Sequence, residues 1–137
     1  MRIPKNTPTF VFDTTNPKGA LRGAGDCVIR SISLATGKTW REVYRELTEI
    51  GMKRGRMPND RIVFAEYLKK EGWKVFPQPR KANNRRFTTL EFIQSRGKGK
   101  RVLISQTLHL TCCLEDGKIH DTWDCTDRAV GRYWIKD

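Results

Sequence analysis

The sequence predicts one α+β domain, on three observations. Apolar residues recur at helical spacing through most of the first two thirds of the chain, and short strand-like runs fill the last forty residues. Few signs appear of the strand–helix alternation that builds a parallel sheet. The length, 137 residues, suits a single core that buries about 68–70% of the unfolded surface. No linker is long enough to divide it, and no internal repeat is present.

The elements follow in order. Thr9 to Phe12 reads as a short strand, and Asn16 to Gly25, with Pro17, Gly19, Gly23 and Gly25, as a long loop. Val28, Ile32 and Ala35 share one helical face with Ile29 beside them, which predicts a buried helix from Cys27 to Ala35 ended by Gly37. Thr39-Trp40-Arg41-Glu42 is a capping box, and Trp40, Val43, Tyr44, Leu47 and Ile50 continue the helical period to Gly51. A third helix is predicted from Arg61 to Glu71, with Phe64 and Leu68 inward, and Trp73 to Phe76 as a strand after Gly72. Residues 77–86, rich in proline, asparagine and basic side chains, read as a surface loop. Thr88-Thr89-Leu90-Glu91 is a second capping box, opening a short helix that Gly97 closes. Strands are then predicted at Val102 to Ser105, Leu108 to Leu114, Lys118 to Trp123 and Val130 to Ile135.

The formal charge of +12 arises from 27 Lys and Arg against 15 Asp and Glu. Such an excess attracts polyanions or acidic partners, and the candidate surface for nucleic acid or an acidic protein comprises Arg80, Lys81, Arg85, Arg86, Lys98, Lys100 and Arg101. No apolar stretch approaches the roughly 20 residues of a membrane span, and the segment MRIPKNTPTFVFD lacks a signal-peptide h-region, so no membrane partner and a cytoplasmic location are expected. Of the four cysteines, Cys112 and Cys113 would point to opposite faces of a strand, which argues for reduced thiols rather than a disulfide framework. Cys112, Cys113, His120 and Cys125 lack a paired Cys-x2-Cys spacing, so neither a metal site nor a cofactor is expected.

Cys27 stands out chemically. It sits at the first turn of a predicted helix, after a glycine-rich loop, where unpaired N–H groups and the helix dipole favour thiolate over thiol. Those N–H groups would also suit an oxyanion. The base has two candidates, and His109 begins an apolar strand followed by the hairpin signal Glu115-Asp116-Gly117-Lys118. A two-residue turn at Asp116-Gly117 pairs His109 with Asp124; a three-residue turn with Gly117 left-handed pairs it with Trp123 and puts Asp121 on its face, roughly 7 Å away on the diagonal. Apolar patterning mildly prefers the first, because it gathers Leu110, Cys112, Leu114, Ile119 and Trp123.

Gly25-Asp26-Cys27-Val28-Ile29-Arg30-Ser31-Ile32 resembles the nucleophile helix of ovarian-tumour-type deubiquitinases, and its Asp-Cys pair that of bacterial cell-wall endopeptidases. The order Cys27, His109, Asp121 is similar to that of the papain-like cysteine peptidase superfamily, and in its cell-wall branch the third member follows the histidine by twelve residues, which here is Asp121. The resemblance covers about thirty residues around two motifs. It implies a papain-like fold, with N-terminal helices carrying the nucleophile against a C-terminal antiparallel sheet. It further implies a triad of Cys27, His109 and Asp121, with Asp124 as second choice for the third member. The glutamine that the superfamily commonly places six residues before the nucleophile is replaced by Leu21, which leaves Asn16 or the Cys27 N–H as candidate oxyanion donor.

The expected activity is that of a hydrolase or acyl transferase acting on an amide, isopeptide or thioester carbonyl of a peptide or protein substrate. The rival readings are a basic nucleic-acid-binding module and a catalytically silent papain-like fold, of a small phage or mobile-element type, that binds a protein partner.

Overall fold

The computed structural model describes residues 3–136. The elements run β1 (Phe10–Phe12), α1 (Cys27–Thr36), α2 (Trp40–Arg54), α3 (Arg61–Lys70), β2 (Trp73–Phe76), α4 (Thr89–Arg96), β3 (Val102–Gln106), β4 (His109–Cys113), β5 (Ile119–Asp121) and β6 (Tyr133–Lys136). The six strands form one sheet in the order β1-β5-β4-β3-β6-β2. The α+β class is therefore observed, but the sheet is mixed rather than antiparallel throughout: β1 lies parallel to β5, pairing Phe10 with Ile119 and Phe12 with Asp121. The sheet also recruits strands from outside the last forty residues, because β2 closes the far edge against β6.

Local chemistry explains the helices. Thr39 and Thr88 each accept from the N–H three residues on, while Glu42 and Glu91 return the bond to the cap N–H, so both capping boxes are complete. Gly37 closes α1 at φ +78°, a left-handed conformation that glycine adopts without a Cβ penalty. Helix α2 runs past the predicted stop at Gly51 to Gly55. A glycine is needed at 51 for another reason: the Arg56 N–H returns to its carbonyl, and a Cβ there would lie 2.5 Å from the Arg56 oxygen.

The sheet is covered on both faces. Val28, Ile32, Val43, Leu47, Val63 and Leu68 of α1–α3 meet Leu103, Leu110, Cys112 and Trp134 on one side. Phe92 and Ile93 of α4 meet Val102, Ile104, Cys113 and Ile119 on the other. Cys112 and Cys113 thus do enter opposite cores. The short α4 buries an apolar face of its own, and the alternating sheet residues offer it the surface opposite α1–α3.

Candidate active site

Cys27 is the first residue of α1, delivered by a loop in which Gly23 and Gly25 hold positive φ. Asp26 stands in the N-cap position, where a carboxylate ordinarily accepts from the opening N–H groups. Here it caps none of them. Its oxygens accept instead from Arg30 Nη1 (2.6 Å), Asn16 Nδ2 (3.1 Å) and Trp40 Nε1 (3.0 Å). The opening N–H groups of α1 are thereby left without a side-chain cap beside the Cys27 sulfur, at the positive end of the helix dipole.

The β4–β5 hairpin positions the imidazole. Its register pairs Cys112 with His120 and Cys113 with Ile119, so Glu115-Asp116-Gly117 forms a three-residue turn with Gly117 at φ +74°. The preference of apolar patterning for the other register is overturned. Continuing the ladder sets Thr111 opposite Asp121 and His109 opposite Trp123, whose ring centroids lie 4.9 Å apart. His109 Nε2 meets Asp121 Oδ2 at 2.8 Å, which leaves Nδ1 as the nitrogen able to exchange a proton with sulfur. The imidazole and the Cys27 thiol line the same cleft, close enough for each to shift the other's titration.

Asp121 is fixed from several sides. Arg30 Nη2 (2.9 Å) and the Thr122 N–H (2.7 Å) donate to Oδ1, while Thr111 Oγ1 (2.6 Å) and the Cys125 thiol (3.6 Å) donate to Oδ2. One guanidinium thus joins the N-cap aspartate of α1 to the carboxylate of β5.

These contacts decide the charges. Burial opposes the Cys27 thiolate, but the hydrogen bonds from His109 and the Leu110 N–H, with the positive charges of His109 and Arg30, hold the thiol below its ordinary pKa. Burial likewise opposes the imidazolium, yet bonds to Asp121, Cys125 and Cys27 raise His109 to about 11. Asp121 stays ionised against its own burial because His109 and Arg30 hold its pKa down. Both shifts favour the thiolate–imidazolium form of the pair over the neutral one.

Cys27 and His109 open onto a cleft of about 460 Å³ whose walls include Asn59, Arg61, Phe64 and Leu108. Asn16 does not enter it: its amide is committed to Asp26 and its carbonyl accepts from the Lys18 N–H. Asp124 lies outside the His109 network, with Oδ1 accepting from the Thr126 N–H and hydroxyl. Leu21 is exposed on the loop. Gln106 borders the cleft, but its Nε2 donates to Thr89 Oγ1 and the Cys125 carbonyl. The opening N–H groups of α1, which carry no side-chain cap, lie beside the sulfur.

His109, Asp121 and Cys125 offer three metal-ligand atoms within 4.8 Å of one another, but the donors already on both Asp121 oxygens, a guanidinium among them, suit a hydrogen-bonded carboxylate better than an ion's ligand. Within the predicted basic surface, Lys81 pairs with Glu91, and Arg101 pairs with Glu115 at 2.7 Å. Arg85, Arg86, Lys98 and Lys100 are exposed and form none of the ion pairs found among the described residues.

Sequence reasoning missed Arg30, Thr111 and Cys125 as members of this network, and named Trp123 beside His109 only in the register that patterning disfavoured. The signal for Arg30 was present: Asp26 and Arg30 are spaced i, i+4 at the start of a predicted helix. No protein-family model, curated protein or solved structure matches this chain. No helix among the described residues is long and apolar enough to cross a membrane.

Proposed function

We propose that this chain is a papain-like thiol enzyme, a hydrolase or acyl transferase acting on an amide, isopeptide or thioester bond. One observation carries the reading: a single imidazole, His109, is hydrogen-bonded to a buried carboxylate and shares a cleft with a thiol at a helix N-terminus.

The chemistry follows from that arrangement. The Cys27 thiolate attacks the carbonyl carbon, and the charge gathering on oxygen is met by the N–H groups at the start of α1. The imidazolium of His109 gives its proton to the departing amine or thiolate, leaving a thioester on Cys27. Acylated sulfur carries no charge, so one of the attractions that held the proton on His109 is gone. The neutral ring then takes a proton from water or an acceptor amine as it attacks the thioester, and the thiolate is released. Asp121 holds the imidazole by Nε2 throughout.

Alkylation provides the test. Iodoacetamide at pH 6.5 should modify Cys27 at least tenfold faster than the same thiol in the denatured chain, and acyl-probe labelling should vanish in Cys27→Ala and His109→Ala. Equal rates in the native and denatured chain would rule the activated thiol out. A second reading, polyanion binding, is favoured by the unpaired exposed Arg85, Arg86, Lys98 and Lys100. It predicts steeply salt-dependent retention of RNA or DNA that survives Cys27→Ala.

A further inference from the structure

The mouth of the Cys27 cleft holds two residues that the chemistry above does not use. Leu108, immediately before His109, is 99% exposed and sits at φ +56°. A leucine there contributes no burial to the fold and occupies a left-handed conformation that a branched side chain disfavours. Asn84 is the only other non-glycine residue at positive φ among the described residues, and asparagine tolerates that region. Backbone strain at an exposed apolar residue, next to a reactive imidazole, points to contact with something outside the chain.

Across the cleft, Arg61 opens α3 and is exposed. It joins none of the ion pairs among the described residues; its neighbour Asp60 bonds instead to the Ile62 N–H and to Arg56. The residues lining the cleft include no carboxylate, and the charge on His109 is matched by Asp121 and Cys27, so Arg61 is the charge at the mouth without a partner among the described residues. Phe64 also lines the cleft, so apolar and cationic side chains share its mouth.

Resting on the thiol-enzyme reading, we propose that the substrate is an acidic peptide segment. An apolar side chain of that segment lies on Leu108 and a carboxylate pairs with Arg61, and together they place the scissile carbonyl at Cys27. The excess positive charge of the chain draws such segments in at long range, and Arg61 reads the carboxylate at the site. Leu108 and Arg61 are specificity residues; neither touches the reacting atoms.

Paired peptidyl vinyl sulfones, identical except for Asp against Asn beside a leucine, test this on the full chain, with Cys27 labelling followed by intact mass. The acidic probe should react about tenfold faster at low ionic strength, and the preference should shrink in salt. Arg61→Gln should abolish the preference, which separates local recognition from the overall charge. Leu108→Asn, which suits the left-handed conformation, should keep or raise Tm while slowing both leucine probes about tenfold. Its iodoacetamide rate should equal that of the parent, because the thiol itself is untouched. Equal rates for the acidic and neutral probes, an acidic preference that survives Arg61→Gln, or full probe reactivity in Leu108→Asn overturns the inference while leaving the thiol enzyme standing. If neither iodoacetamide nor any peptidyl probe singles out Cys27, the thiol-enzyme reading fails and takes this inference with it.

Discussion

Replacing Arg30 by methionine removes the one group that ties the nucleophile helix to the carboxylate behind the imidazole. The guanidinium sits 2.6 Å from Asp26 and 2.9 Å from Asp121, and all three side chains are at least nine-tenths buried. Removing one partner from a buried ion pair costs about 3–5 kcal/mol, because the charge left behind is uncompensated. Two carboxylates are stranded here, but each keeps other donors: Asn16 and Trp40 for Asp26, and His109, Thr111 and Thr122 for Asp121. The lower end of the range is therefore expected, about 3 kcal/mol. With m about 2 kcal/mol per molar, the urea midpoint falls by roughly 1.5 M.

The loss should depend on pH. Asp121 is held below its ordinary pKa, so its contacts stabilise the fold fully above about pH 4 and fade as pH falls through the folded pKa. The gap between parent and Arg30→Met should narrow in that window. Adding Asp26→Asn removes one stranded charge, so the double variant should be more stable than the sum of the two single losses predicts. A loss under about 1 kcal/mol for Arg30→Met, or strict additivity with Asp26→Asn, would refute the account of Arg30 as the tie.

His109 should keep its proton far above neutral pH in imidazole nitrogen NMR, titrating near 11; its contribution to stability is then complete below about pH 6.5 and is lost as pH rises through about 11. Cys27→Ala, which removes one of the groups that raise it, should lower that pKa, and a parent value near 6.5 would disprove the ion pair. Of the four free thiols, only Cys27 should react promptly with a disulfide reagent. Burial pushes Cys112 well up and Cys113 to about 12, so rapid reaction of all four would contradict the packing. Gly97→Ala places a Cβ 2.8 Å from the Ile93 carbonyl oxygen and 3.0 Å from Cys113 Sγ, and should cost about 1–3 kcal/mol by calorimetry. Thr39→Ala, which deletes half of a capping box, should cost about 1 kcal/mol.

The helices were legible because what forms them is local. Capping bonds at Thr39 and Thr88 span three residues, and the apolar stripes of α1 and α2 need only the period of a single helix. The α+β class and the exposed loop at 77–86 followed from composition and order in the same way. Candidate chemistry at Cys27 could be proposed for a related reason: a cysteine at a helix start has a distinctive environment before any long-range contact is known.

Tertiary structure decided the rest. The hairpin register lay beyond patterning because both faces of β4 are buried, Leu110 and Cys112 against one core and Cys113 against the other. A one-residue slip that would expose a half-buried strand's apolar side chains therefore left no clear signature. That register puts Asp121 rather than Asp124 on His109. The parallel pairing of the three-residue β1 carries too few residues for a readable period. Arg30 acquired its role only when β5 came beside α1, since a guanidinium that reads as an ordinary surface charge becomes a buried tie once two carboxylates enclose it. Helix starts and apolar periods are set by neighbours along the chain; which thiol meets which imidazole is set by packing across it.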